Sequence, residues 1–194
     1  MMKTFVLATE NENKVSEFRL ALKDTPFKIK SLKDLGLSLD VEEVGTTFEE
    51  NAILKAKYIS KFTKYPVIAD DSGLELRALN GFPGINSHRF MEGSTYEEKG
   101  AALNEMLAPY SDKGARFVCA IALVGLNQFP DVFVGQVKGK LIEDATGEGG
   151  FGYDPFFYIP EKGKTMAELS PEEKNNLSHR AEAIKRFKEF LENL

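Results

Sequence analysis

Short apolar runs of strand length alternate with longer amphipathic segments through the first half of this chain, and that alternation limits the fold more than any other feature. Lys3-Thr4-Phe5-Val6-Leu7-Ala8 reads as a buried strand, and a polar loop separates it from a helix over residues 13–23 with apolar positions at Val15, Phe18, Leu20 and Leu22. A second helix is predicted over residues 46–64. Thr46 and Thr47 each precede a glutamate by three residues, and Phe48, Ala52, Ala56 and Ile59 make one apolar stripe. Pro66-Val67-Ile68-Ala69 reads as a strand closed by a turn at Asp70-Asp71-Ser72-Gly73, with a second strand at Leu74-Glu75-Leu76. Downstream, a helix over residues 96–107 precedes paired strands over 116–124 and 129–138. Ser170-Pro171-Glu172-Glu173 is a capped helix start, and a final helix from Arg180 lines up Ile184, Phe187, Leu191 and Leu194. Helices alternating with strands, followed by paired strands, predict an α/β fold with a mixed sheet.

At 194 residues and 42% hydrophobic content the chain is expected to form one domain over residues 1–194, of one or two lobes. The lone cysteine, Cys119, lies in the apolar run of residues 117–126, so it reads as a buried strand thiol and no internal disulfide can form. Met1 to Val6 carry no long apolar signal core, and no stretch approaches the ~20 apolar residues that span a bilayer. A cytoplasmic, soluble protein without a membrane partner is expected. A net charge of -5 and a pI near 5.3 weigh against a nucleic-acid surface, which needs many cations to neutralise phosphates. A small phosphorylated ligand remains open if a few cations or a metal are gathered locally.

Several segments carry residues suited to such a ligand. Successive strand residues face opposite ways, so Asp70 and Asp71 cannot easily share one task. One of them facing a cleft could hold a hard cation and take a proton from water acidified by it; equally, Asp-Asp-Ser-Gly could be a self-capping turn. Glu42-Glu43 lies in a loop before Gly45 and the second helix, and reads either as a solvated pair or as a second carboxylate source. Carboxylates from two segments suit Mg2+, which binds one or two of them and completes its shell with water and substrate phosphates. Thr9-Glu10-Asn11-Glu12-Asn13-Lys14 opens a helix, where backbone N–H groups and a lysine can cradle phosphate, although it is not a Gly-x4-Gly-Lys-Ser/Thr loop. Lys55 follows Asn51 by one helical turn and can reach the same anion. Glycines surround Phe151 in the stretch from Gly147 to Gly152, leaving its ring to stack on a nucleobase or to fold inward beyond a hairpin turn. Lys174 and His179-Arg180 bring cations and hydrogen-bond donors near the C-terminal helix.

Taken in order, these motifs resemble the inosine triphosphate pyrophosphatase, or Ham1-like, family. The carriers are Leu7-Ala8-Thr9 with Asn11 and Lys14, the run from Glu42 to Ala52 with Lys55-Ala56, and Ala69-Asp70-Asp71-Ser72-Gly73-Leu74. They continue with Phe82-Pro83-Gly84-Ile85, Ser87 and Arg89, with Gly149 to Pro155, and with Leu177-Ser178-His179-Arg180-Ala181. The resemblance implies a homodimer, each subunit an elongated mixed β-sheet flanked by helices, with two lobes and the active-site cleft between them. It further implies hydrolysis of ITP, dITP and XTP to the monophosphate and pyrophosphate. Matched by motif, Thr9, Glu10, Asn11, Glu12, Asn13, Lys14 and Lys55 would hold the triphosphate, Glu42 and Asp71 the Mg2+, and Asp71 would activate the attacking water. Asp70 would support them. Ser72 would contact the substrate, Phe151, Gly152, Tyr153 and Asp154 the base and sugar, and Lys174, His179 and Arg180 the purine edge. Glu10 stands where the family often has a small or neutral residue, and His88 where it frequently has alanine. Two alternatives compete: a Maf-like enzyme acting on modified pyrimidine nucleotides, and a nucleotide-binding module without turnover.

Overall fold

The structure, a computed structural model, describes residues 3–39 and 41–193; Met1, Met2 and Leu194, the last position of the C-terminal stripe, lie outside the described residues. The first strand, β1 (Lys3–Leu7), leads into α1 (Glu12–Leu22). Asn11 starts this helix, its side chain accepting hydrogen bonds from the backbone N–H groups of Asn13 and Lys14. A strand that the sequence reading had not anticipated, β2 (Phe27–Ser31), lies parallel to β1 with Lys3 opposite Phe27 and Leu7 opposite Ser31. Lys28 and Lys30 within Phe-Lys-Ile-Lys-Ser gave it the polarity of a loop, whereas pairing beside β1 makes it the second strand of a βαβ unit.

Helix α2 (Phe48–Ser60) is shorter than the predicted span at both ends. Thr47 is its cap, accepting from the Glu50 N–H, and the Glu50 carboxylate accepts from the backbone N–H and hydroxyl of Thr46. Thr46 therefore sits outside the helix as half of the capping pair.

The expected turn at Asp70-Asp71-Ser72-Gly73 is corrected: β3 (Val67–Leu76) runs through it as one continuous strand. Aspartates form such turns by bonding their own backbone. Here the carboxylates are engaged by Lys14, Arg180 and Lys55 instead, so the extended backbone is kept.

The remaining elements are α3 (Tyr96–Leu107), β4 (Gly114–Val124), β5 (Asp131–Leu141), β6 (Phe157–Ile159), β7 (Lys164–Thr165), α4 (Pro171–Leu177) and α5 (His179–Glu192). Full capping boxes start α3 at Thr95 with Glu98 and α4 at Ser170 with Glu173. The strands form one mixed sheet in the order β2-β1-β3-β4-β5-β6-β7. It is parallel where β1 meets β2 and β3, and antiparallel where β6 meets β5 and β7. Among the described residues no helix is long and apolar enough to cross a membrane.

The chain gathers into two compact units. The first comprises Met1–Asp71, Cys119–Gly135 and Arg180–Leu194, the second Ser72–Val118 and Gln136–His179. Unit 1 has a core on either side of its strands. Phe5, Leu7 and Ile68 pack with Val15 and Phe18 of α1 and with Ala183, Ile184 and Phe187 of α5. Val6, Ala8, Val67 and Ala69 pack with Ala52, Ala56 and Ile59 of α2. Unit 2 is built around Leu74, Leu76, Leu103, Phe117, Phe156 and Phe157. Burying each of these larger side chains stabilises the fold by roughly 1.5–3 kcal/mol, enough to hold polar groups in place along the same strands.

Candidate active site

The two core layers of unit 1 determine which way each aspartate points. Ile68 faces the α1/α5 layer, while Val67 and Ala69 face the α2 layer. The twofold alternation of a strand then sends Asp70 toward α1 and α5 and Asp71 toward α2. The ion pairs agree. Asp70 Oδ2 lies 3.0 Å from Lys14 Nζ and 3.0 Å from Arg180 Nη2, whereas Asp71 Oδ1 lies 3.3 Å from Lys55 Nζ. The adjacent acids are thus given separate tasks.

On the α2 side, Lys55 Nζ is also 2.5 Å from Glu43 Oε1, so one ammonium joins two carboxylates from distant segments. The loop that carries Glu43 is pinned to the helix: the Gly45 N–H donates to Asn51 Oδ1 at 2.8 Å, and a Cβ on Gly45 would sit 2.6 Å from that oxygen. Only glycine fits so close an approach. Glu42, assigned to the metal from the family motif, is exposed, and the neighbour it was paired with is the one drawn into the cluster. Burial pushes the Asp71 carboxyl above its ordinary range, more strongly than Lys55 pulls it down. Burial works against the charged form of Lys55 too, but Asp71, Asp70 and Glu43 outweigh it and hold the amine cationic.

On the other side, Asp70 is fully buried, which alone would raise its pKa; Lys14, Arg180 and Lys55 together overcome that and hold it well below the carboxylate range. Asp70 is therefore a fixed anion and a poor proton acceptor. Burial pushes the Cys119 thiol beside it up to about 12, which rules out a thiolate nucleophile at neutral pH. Thr9 Oγ1 accepts from the Asn11 N–H, Glu12 and Asn13 are exposed in the first turn of α1, and Glu10 accepts from the Leu39 N–H. The side chain of Glu10 thereby fastens a neighbouring loop.

A separate constellation lies in unit 2. Asp154 Oδ2 accepts from the Phe151 N–H at 2.9 Å and from Lys174 Nζ at 2.8 Å, and Lys174 Nζ stands 4.5 Å from the centre of the Phe151 ring. Gly150, with φ of +72°, makes this possible, since a Cβ there would lie 2.2 Å from Asp154 Oδ2. Phe151 is only half-buried. Tyr153 is fixed behind it by a hydrogen bond from its hydroxyl to the Ser87 carbonyl at 2.9 Å and by edge-on packing with Tyr96. The His179 ring stacks on Phe117 at 4.9 Å. Ser72, the first residue of this unit, is half-buried on β3 directly after Asp71, and Gly152 turns the chain with φ of +66°.

Residues assigned by motif to phosphate and metal thus collect in unit 1, and those assigned to base and sugar in unit 2. Arg180, matched by motif to the purine edge, lies in unit 1: its side chain is 1% exposed, its Nε and Nη2 donate to Asp70, and its Nη1 pairs with Glu17. Glu17 is a member of these clusters that the sequence does not single out, and Glu43 stands out there only as half of the Glu42-Glu43 pair, of which the motif assigns Glu42 to the metal. Glu17 falls one helical turn after Lys14, a spacing that signals a shared face; nothing in the adjacent letters separates Glu43 from Glu42.

The residues also fit a hard divalent cation. Asp71 Oδ2 is buried with no hydrogen-bond partner among the described residues, and Glu43 reaches the same ammonium as Asp71, so the available donors are carboxylate oxygens. No cluster of three or more His, Cys, Asp or Glu suited to a metal occurs among the described residues, so a cation here would rely on water and phosphate for the rest of its shell.

A mixed sheet carrying a buried carboxylate–lysine cluster beside a helix start defines an α/β protein with a site suited to phosphate. The chain belongs to the Ham1 family, which it matches over residues 5–190. It is 45% identical to a Bacillus licheniformis protein named dITP/XTP pyrophosphatase, across 98% of this chain and 99% of the relative. The solved structure of the Staphylococcus aureus Ham1 protein superposes with a TM-score of 0.88 at 44% identity, covering 98% of this chain and 99% of that one. A Coxiella burnetii HAM1 protein gives 0.90 at 38% identity, with both chains covered fully.

Proposed function

We propose that this chain hydrolyses ITP, dITP and XTP to the nucleoside monophosphate and pyrophosphate, removing them before they enter DNA or RNA. The observation that carries the reading is the Asp71–Lys55–Glu43 cluster of unit 1, within a chain that shares 45% identity with a dITP/XTP pyrophosphatase. Lys14 and Lys55, with the start of α1 from Thr9 to Asn13, bind the triphosphate, since a helix N-terminus and two ammonium groups favour a polyanion. Asp71 takes the proton of the attacking water, and its burial makes it a stronger base than an exposed aspartate of pKa ~3.9. Mg2+ bound by Asp71 and a glutamate of the 42–43 loop would screen the phosphate charge and acidify that water. Of the two glutamates, Glu43 is the better candidate, because its ion pair already holds it at the cluster while Glu42 is turned to solvent.

Phe151 stacks on the base, Gly152, Tyr153 and Asp154 shape the sugar side, Ser72 contacts the substrate, and Lys174 and His179 address the purine 6-position. Donors there suit the 6-oxygen of hypoxanthine or xanthine and meet an opposing donor in adenine. A buried unmatched donor costs roughly 1–3 kcal/mol, or about tenfold to a hundredfold in discrimination. Guanine keeps the 6-oxygen, so rejection of GTP must rest on the 2-amino group. The active form is a homodimer acting in the cytoplasm, with neither nucleic acid nor membrane as partner; the acidic net charge of -5 supports the last two points.

The test is a nucleotide panel with Mg2+ and product analysis. ITP, dITP and XTP are expected to release pyrophosphate at rates at least tenfold above ATP. Release of orthophosphate, or preference for modified pyrimidine nucleotides, would reject the proposal.

A further inference from the structure

Unit 1 contains a chain of paired charges that the reaction does not consume. Lys14 Nζ pairs with Asp70 Oδ2 at 3.0 Å, and the same oxygen accepts from Arg180 Nη2 at 3.0 Å and Nε at 3.2 Å. Arg180 Nη1 pairs with Glu17, which brings the chain of pairs back to α1 three residues from Lys14. Two cations and two anions balance, as burial at this depth requires. Burial along it is uneven: the side chains of Asp70 and Arg180 are 0% and 1% exposed, while that of Lys14 is 15% exposed.

We infer that Asp70, clamped by Arg180 and through it by Glu17, is a positioning residue that fixes the ammonium of Lys14 for the substrate's triphosphate. This rests on the reading that Lys14 binds phosphate. A lysine carries three donors on a flexible four-carbon stem, and most of its cost in gripping an anion is the ordering of that stem. Asp70 uses one donor at a fixed, fully buried point and leaves others for phosphate. Arg180 makes the point rigid, because its planar fork holds Asp70 through two nitrogens and Glu17 through the third. Asp70 thereby acts through Lys14.

A double-mutant cycle on ITP hydrolysis tests this. Lys14→Ala is expected to raise KM for ITP about tenfold or more, and Asp70→Asn about fivefold, with kcat within about threefold of the parent in the latter. Asp70→Asn is expected to add nothing to KM once Lys14 is alanine. If the effects of Lys14→Ala and Asp70→Asn multiply, the positioning role is overturned although phosphate binding by Lys14 stands. An unchanged KM in Lys14→Ala overturns both. Should Asp70→Asn fail to fold, Glu17→Gln, at a 19% exposed side chain, replaces it in the cycle: a KM increase of about twofold to threefold that disappears in the Lys14→Ala background supports the inference, and one that persists overturns it.

Discussion

Asp71→Asn is expected to lower kcat for ITP by about a hundredfold to ten-thousandfold, the range by which a positioned general base accelerates a reaction. The amide keeps the shape of the carboxyl but can neither accept the proton of the attacking water nor supply an anionic ligand. The fold should not suffer, and the sign can be worked out. Burial raises the Asp71 pKa above its unfolded value, so the charged form is the one the folded state penalises. That penalty is absent at low pH, where both states are protonated, and sets in as pH rises past the unfolded pKa of ~3.9. A neutral asparagine avoids it, so without metal the variant should melt no lower than the parent near neutral pH. Steady-state kinetics with a thermal melt checks both halves; near-normal turnover would show that the base is elsewhere, and a large loss of stability that the effect is structural.

Removing Arg180 should have the largest effect on stability. Arg180→Met preserves much of the side chain's volume but leaves Asp70, fully buried, with Lys14 as its remaining direct ion-pair partner among the described residues. Breaking a buried pair from one side costs about 3–5 kcal/mol, because the abandoned charge keeps its desolvation penalty. The parent's pH dependence follows from the same residue. Asp70 has a folded pKa below its unfolded one, so its contribution is fully present above the unfolded value of ~3.9 and is lost as pH falls toward the folded value. The parent should therefore hold this contribution through neutral and mildly acidic solution. In Arg180→Met much of it is missing at pH 7. Urea unfolding at pH 7 checks the magnitude; a change below about 1 kcal/mol would mean that the network contributes little net stability.

Much of this architecture could be read from the letters. Thr95 with Glu98 and Ser170 with Glu173 are caps whose chemistry is local, and α3 and α4 begin where those pairs require. Ile184, Phe187 and Leu191 line one buried face because helical periodicity is also local. What could not be read depends on partners far along the chain. β2 is a strand because β1 lies beside it, not because Phe-Lys-Ile-Lys-Ser insists on one. Asp70-Asp71-Ser72-Gly73 has the composition of a turn and becomes strand because cations from α1, α2 and α5 claim its carboxylates. The same long-range pairing selects Glu43 over its identical neighbour and turns Arg180 inward. Alternation along a strand anticipated that the paired aspartates would face opposite ways, and they do.

In the proposed reaction two acids from separate segments, Asp71 and Glu43, serve one divalent ion on the substrate's phosphates. The most direct measurement is the Mg2+ dependence of ITP turnover in Glu43→Gln and Glu42→Gln, side by side. The half-saturating Mg2+ concentration should rise about tenfold or more in Glu43→Gln and stay within about twofold of the parent in Glu42→Gln. An unchanged Mg2+ requirement in Glu43→Gln, or a shift confined to Glu42→Gln, would contradict it.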